Sequence, residues 1–264
     1  MYPFTLNQAT TLDQACQLAA RGATVLAGGQ TLLASMKLRM ANPEQLVDLG
    51  RLKELSGIKL EGNNLRIGAM TKHQDVANSP DVQTTIPALA QLAGQIGDKQ
   101  VRAMGTIGGS VANNDPAACY PSALLALGAV VHTNARTITA ADFFQGLFST
   151  ALNPGELITA VSFPVPQNAA YMKFKQPASR FALVGVFVAQ THAGVRVAVT
   201  GAASGVFRHL DLEQALEQSF TVKAAASVTI DPTDLNNDLH ASAAYRANLI
   251  SVQTQRAVSL MLAS

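Results

Sequence analysis

The sequence predicts an α+β fold in two parts, residues 1–166 and 167–264, with the first part divided again near residue 55. Three observations carry this. Strand and helix patterns alternate over residues 1–55, and two alternating apolar runs flank the turn Gly62-Asn63-Asn64 within residues 57–70. Further on, apolar runs at 183–190 and 195–200 meet around Gly194 before polar–apolar helical patterns take over. Alternating strands and helices build a parallel sheet, whereas runs joined by a tight turn build an antiparallel one.

Taken in order, residues 2–6 suit a short strand, and Thr10 or Thr11 can cap a helix whose apolar positions Leu12, Ala15, Cys16 and Ala19 fall at helical spacing. Gly22 ends that helix. Residues 23–27 read as a buried strand, Gly28-Gly29 as a turn, residues 31–40 as a helix and 45–49 as the next strand. Beyond the hairpin, Thr71 is placed to cap a short helix through Asn78, and Pro87 to begin one through Ile96. A glycine-rich segment at 105–109 precedes a helix near 121–127 and strands at 130–132 and 157–163. Pro164 and Pro166 mark the boundary. The second part opens with a strand at 171–176 and ends in a helix over 240–262, the longest in the chain.

Composition narrows the function classes. With 14% charged residues and a net charge of +2, the chain offers no basic footprint for nucleic acid. Its apolar stretch at 120–131 is too short to span a bilayer and is interrupted by Pro121, Ser122 and Gly128. The start has neither a basic n-region nor an apolar h-region, so the protein reads as soluble and cytoplasmic. The low charge also suits a subunit that hides surface against partners. Cys16 and Cys119 are the only cysteines, too few for an iron–sulfur cluster held by this chain. His73, His132, His192, His209 and His240 are scattered without metal-ligand spacing, and Ser204 lacks a nucleophile-elbow context.

Two segments carry chemistry. Leu26, Ala27, Gly28, Gly29, Gln30, Thr31, Leu32 and Leu33 sit where a strand ends and a helical pattern begins, a place where backbone amides can seat a phosphate. The residues alone equally allow an ordinary strand–helix turn. Neither a P-loop nor a Rossmann glycine pattern is present. In the second segment, Gly105, Thr106, Ile107, Gly108, Gly109 and Ser110 run into Val111, Ala112, Asn113, Asn114 and Asp115, combining flexible backbone with short hydroxyl and amide side chains. One cofactor can bridge both.

AGGQTLL and GTIGGSVANNDPAA, followed by PSALLALGA, GELITAVSFP and YMKFKQPASRFALVGV, resemble in order and spacing the FAD-binding subunit of molybdenum hydroxylases of the xanthine dehydrogenase and carbon monoxide dehydrogenase family. The resemblance covers nearly the whole chain. It implies a two-part FAD-binding fold of the vanillyl-alcohol oxidase type over residues 1–166. It also implies a smaller C-terminal domain with a three-stranded antiparallel sheet and helices. Residues 26–33 would wrap the FAD pyrophosphate, Thr106, Gly108, Gly109 and Ser110 would bind phosphate and ribityl groups, and Ile96 would lie near the flavin or adenine. Ile158 would support the cofactor through its backbone. Lys175 matches a family lysine near the flavin, whose charge would favour an anionic reduced flavin; the alternative is a solvated strand-edge lysine.

Where the family carries an acidic residue that binds cofactor hydroxyls, this sequence has Cys119. A thiol is the weaker acceptor, so that contact is lost, supplied by water, or taken over by Asn113, Asn114 or Asp115, and Cys119 is otherwise a small buried hydrophobe. The resemblance further implies an iron–sulfur small subunit with 2Fe-2S clusters, a large subunit with molybdopterin, and a dimer of heterotrimers. Electrons would pass from a 2Fe-2S subunit to FAD and on to an external acceptor, with no catalytic acid or base in this chain. A self-sufficient flavoenzyme on the same fold and a flavin-free interaction protein are the alternatives.

Overall fold

The structure, a computed structural model, describes residues 1–263. Its first unit is the expected parallel one: strands Thr5–Gln8, Thr24–Leu26 and Gln45–Asp48, with the third between the other two. Helix Leu12–Ala20 starts at Thr11, whose hydroxyl accepts from the Gln14 amide at 3.2 Å, and stops at Gly22, which sits at a φ of +95° that a side chain disfavours. Ala15, Val47, Leu49, Leu52 and Leu55 form its core together with Leu157 from far along the chain. Thr24–Leu26 is an edge strand, and the chain leaves its carboxyl end directly into Gly28-Gly29 before helix Leu32–Lys37.

The middle region is a five-stranded antiparallel sheet in the spatial order Ile58–Glu61, Asn64–Gly68, Ile158–Pro164, Val130–Thr133, Thr137–Thr139. Between its second and third strands in sequence lies a run of short helices, among them His73–Asn78, Pro87–Gly94, Ile107–Asn113 and Tyr120–Leu127. One expectation is corrected here. Thr71 does not cap the helix that follows; Lys72 holds the N-cap position without a side-chain bond. The Thr71 hydroxyl instead accepts from the Gly57 amide at 3.0 Å and donates to the Gly57 carbonyl at 3.1 Å, closing the turn before the hairpin. A non-local pair of backbone groups has outcompeted the local cap. Nor is the glycine-rich segment a plain loop. The Thr106 hydroxyl accepts from the Gly109 amide at 3.2 Å and so caps helix Ile107–Asn113.

The last region is an antiparallel sheet of Asn168–Lys175, Ala182–Thr191 and Gly194–Thr200, to which the two-residue strand Phe207–Arg208 adds a fourth edge too short to show any alternation in sequence. Both faces are covered, which is why 182–189 reads as continuously apolar. Val184, Val186 and Val188 join Val197 and Val199 in a core shared with helix Ala243–Leu262, whereas Tyr171, Phe187 and Ala198 join the core of the middle region with Leu89 and Leu124. Removing the buried Phe187 ring would cost roughly 3 to 5 kcal/mol. Because the sheet stacks on Pro87–Gly94 and Tyr120–Leu127, its first strand reaches the same face of the molecule as the two glycine segments.

Candidate functional site

A cavity of about 620 Å³ opens between the parallel unit, the middle sheet and the hairpin end of the C-terminal sheet. That volume falls within the range of small-molecule sites. Residues 26–32 form one wall, and residues 105–106, 108–110, 113, 115 and 119 form the facing one, with Ile96 and Ile158 adding to the lining. Of the residues the resemblance assigns to the cofactor, Leu33 and Lys175 do not reach it, and neither does Asn114, one of the alternatives to Cys119. Leu33 packs behind the turn, where a Cβ on Gly29 would meet its side chain at 2.7 Å.

The first wall has the chemistry of an anion seat. Gly29 takes a φ of +70°, and among the described residues no protein group accepts from the amides of Gly28, Gly29, Gln30 or Thr31. Gly28 and Gly29 are half-buried and Gln30 and Thr31 exposed, and four successive amides without protein acceptors at the start of a helix leave room for an acceptor that is not protein. The second wall is tied down. Ile107 donates to the Thr71 carbonyl at 3.0 Å, Gly108 to Ala69 at 2.8 Å, and the Gly105 carbonyl accepts from His73 at 2.9 Å. Its glycines allow close approach: a Cβ on Gly108 would lie 2.6 Å from that of Ala69, and one on Gly28 would collide with Met104 and come within 2.7 Å of Gly105.

A family profile described as FAD binding domain in molybdopterin dehydrogenase matches residues 2–166. The chain belongs to that family. It is an FAD-binding medium subunit of the xanthine dehydrogenase and carbon monoxide dehydrogenase type. The glyceraldehyde dehydrogenase medium chain of Sulfolobus acidocaldarius is 33% identical over 276 residues, covering 97% of this chain and 98% of that one. The carbon monoxide dehydrogenase medium chain of Hydrogenophaga pseudoflava is 36% identical over 253 residues, covering 90% of this chain and 88% of that one. A solved carbon monoxide dehydrogenase from H. pseudoflava, lacking the Mo-pyranopterin moiety of its molybdenum cofactor, matches with a TM-score of 0.91 at 34% identity, over 100% of this chain and 99% of that chain.

In this FAD-binding subunit the lysine that enters the cavity is Lys173, not Lys175. Strand parity puts Tyr171 and Lys173 on one side, and a shift in pairing between Phe174 and Lys175 leaves Lys175 exposed at the strand end. The Lys173 ammonium donates to the Gln95 carbonyl at 3.0 Å and to the Cys119 sulfur at 3.3 Å. Cys119 is 4% exposed and lines the cavity, so it is both a buried small group and part of the wall. Among the neighbours that stand to replace the family's acidic residue, Asn114 is committed elsewhere: it takes a φ of +43° and donates to the carbonyls of Gly146 at 2.8 Å and Ser149 at 2.7 Å. Asn113 and Asp115 do line the cavity, with one Asp115 carboxylate oxygen accepting from the Ala117 amide at 2.8 Å.

Three further residues were not singled out from the sequence. Glu156 lies in the wall, but its carboxylate is held by Arg136 at 2.9 Å and accepts from Thr133 and Asn153; the Arg136 hydrogen bond first, then these others, pull its pKa down to about 2. Its charge is compensated, so it does not repel an anion nearby. Arg180, at a φ of +62°, and Phe181 stand at the cavity mouth on the turn that joins the first two strands of the C-terminal sheet. The glycine context of both walls had a signal in sequence; these side chains reach the site through strand pairing and turn geometry.

Proposed function

We propose that FAD occupies this cavity, with its pyrophosphate on the free amides of residues 28–31 and its remaining length along residues 105–110, Asn113, Asp115, Ile96 and Ile158. The observation that carries the placement is the row of unpartnered amides opening into a cavity of cofactor size within the matched FAD-binding stretch. The residues present fit the group: flexible backbone on one side, a tightly packed wall on the other, a half-buried ammonium at Lys173 and no uncompensated charge at Glu156. Lys173 takes the role expected of Lys175, a fixed positive charge toward the cofactor that favours added negative charge on reduction. Bound there, flavin supplies one- and two-electron chemistry, which lets electrons from a 2Fe-2S partner reach an external acceptor. This chain's own residues bind, orient and shield; none acts as a general acid or base.

The same proposal assigns residues 1–166 to FAD binding, divided near residue 55, and 167–264 to a C-terminal domain. The end of the family match at residue 166 supports that division. It places the chain in a cytoplasmic complex with an iron–sulfur small subunit and a molybdopterin large subunit, repeated as a dimer of heterotrimers. Two cysteines are too few for those clusters, so other chains must hold them. The test is anaerobic flavin reduction by substrate. Reduction is expected when the chain is co-expressed with those subunits and not when it is alone, and substrate turnover by the isolated chain would overturn the relay.

A further inference from the structure

His73 opens helix His73–Asn78 and is 4% exposed, with its ring in the cavity wall. Its position is fixed from several sides. Its amide donates to Gly105, Lys72 pairs with Thr106, and the ring lies 5.4 Å from that of Tyr120. A Cβ on Gly105 would stand 2.6 Å from His73 Nε2, so the glycine that begins the second wall also makes room for this ring. Nδ1 is buried and has no hydrogen-bond partner, and the Tyr120 hydroxyl packed beside it has none either. Burial, with help from the Arg102 charge, pushes the imidazole pKa down to about 4, so at neutral pH the ring carries one proton. A buried N–H without an acceptor is rarer than an unused lone pair, which puts that proton on Nε2 and leaves the lone pair at Nδ1.

We infer that His73 is a direct cofactor contact, a neutral imidazole that donates its Nε2–H to an oxygen of FAD beside the junction of the two glycine segments. The inference rests on FAD occupying this cavity. Among the described residues no protein group bonds to either ring nitrogen, and with Nδ1 shut into the core, Nε2 is the nitrogen left to meet a ligand in the cavity. The neutral form is what the site calls for, because Lys173 already supplies a positive charge and a second would need its own partner.

The experiment uses the full chain stripped of flavin and titrated with FAD, alongside His73→Phe and His73→Gln. His73→Phe keeps the ring packing and removes the donor, and is expected to weaken FAD binding about tenfold, the loss of roughly one hydrogen bond. His73→Gln, which carries an N–H near the same place, is expected to recover most of that affinity. On the unmodified protein, 15N-labelled histidine should show the Nε2-protonated tautomer at neutral pH and a shift of that resonance when FAD is added. Equal FAD affinity of His73→Phe and the unmodified chain, or an imidazole signal that does not respond to FAD, overturns the inference and leaves the cavity assignment standing. Failure of the unmodified chain to take up FAD overturns both. Should His73→Phe not fold, the labelled-histidine spectrum of the unmodified chain still decides.

Discussion

The two glycine segments face each other across the cavity, yet their glycines do different work. In residues 28–31 the backbone is left open, with one glycine at a positive φ and four amides without protein acceptors. In residues 105–109 the amides of Ile107, Gly108 and Gly109 are taken by Thr71, Ala69 and Thr106, and the missing side chains serve close packing against His73 and Ala69. Similar composition thus yields a ligand seat on one side and a rigid wall on the other. Which is which depends on whether neighbouring backbone has claimed the hydrogen bonds, something a glycine count does not reveal.

The contrast breaks most readily at Gly29. Gly29→Asp puts a carboxylate at the open amides and meets only the flexible side chains of Leu33 and Leu26, so the chain should fold while losing FAD retention completely. Repulsion between charges about 4 Å apart costs roughly 1 to 4 kcal/mol depending on screening, before the strain at that φ is added. Absorbance of the purified variant checks it, and unchanged flavin content would move the phosphate elsewhere. Gly28→Ala tests the opposite property. Its methyl strikes the backbone of Met104 and Gly105, so both thermal stability and flavin content should fall, with a stability loss of about 1 to 3 kcal/mol.

A finer probe concerns charge around the open segment. Glu156, paired with Arg136, has a pKa held near 2, below the ordinary carboxylate range, so its stabilisation is present above that range and is lost as pH falls from about 4.5 toward 2. Glu156→Gln should therefore unfold at lower temperature than the unmodified chain at pH 7, with the gap closing near pH 2. A gap that is the same at both pH values would remove the ion pair from the account. The smallest effect is expected at Cys119→Asp, which sets a carboxylate beside the Lys173 ammonium and should tighten FAD binding a few-fold by titration. Weaker binding would mean that the thiol matters as a buried filler.

What the sequence makes legible is local. Thr11 caps the first helix, Gly22 ends it, Pro87 starts another, and Gly62 turns the hairpin, all through interactions within a few residues. The strand–glycine–helix order of residues 24–37 is local too, and it locates the open wall. The illegible features depend on distant partners. Thr71 bonds to Gly57 rather than capping, Asn114 reaches residues 146 and 149, and helices as short as Lys99–Met104 span too few turns to show a periodicity. The choice between Lys173 and Lys175 turned on one pairing shift against the neighbouring strand, and His73 became a site residue only because residues 69–73 lie alongside 105–108.

The central claim is that the cavity between these two walls holds one noncovalent FAD, and flavin released from the purified chain by mild denaturation tests it most directly. The account predicts one equivalent of free FAD per chain, since neither glycine segment holds a cysteine or histidine, Cys119 in the wall is engaged by Lys173, and His73 meets the cofactor through a hydrogen bond rather than a covalent link. FMN, no flavin, or flavin still attached after unfolding would contradict it.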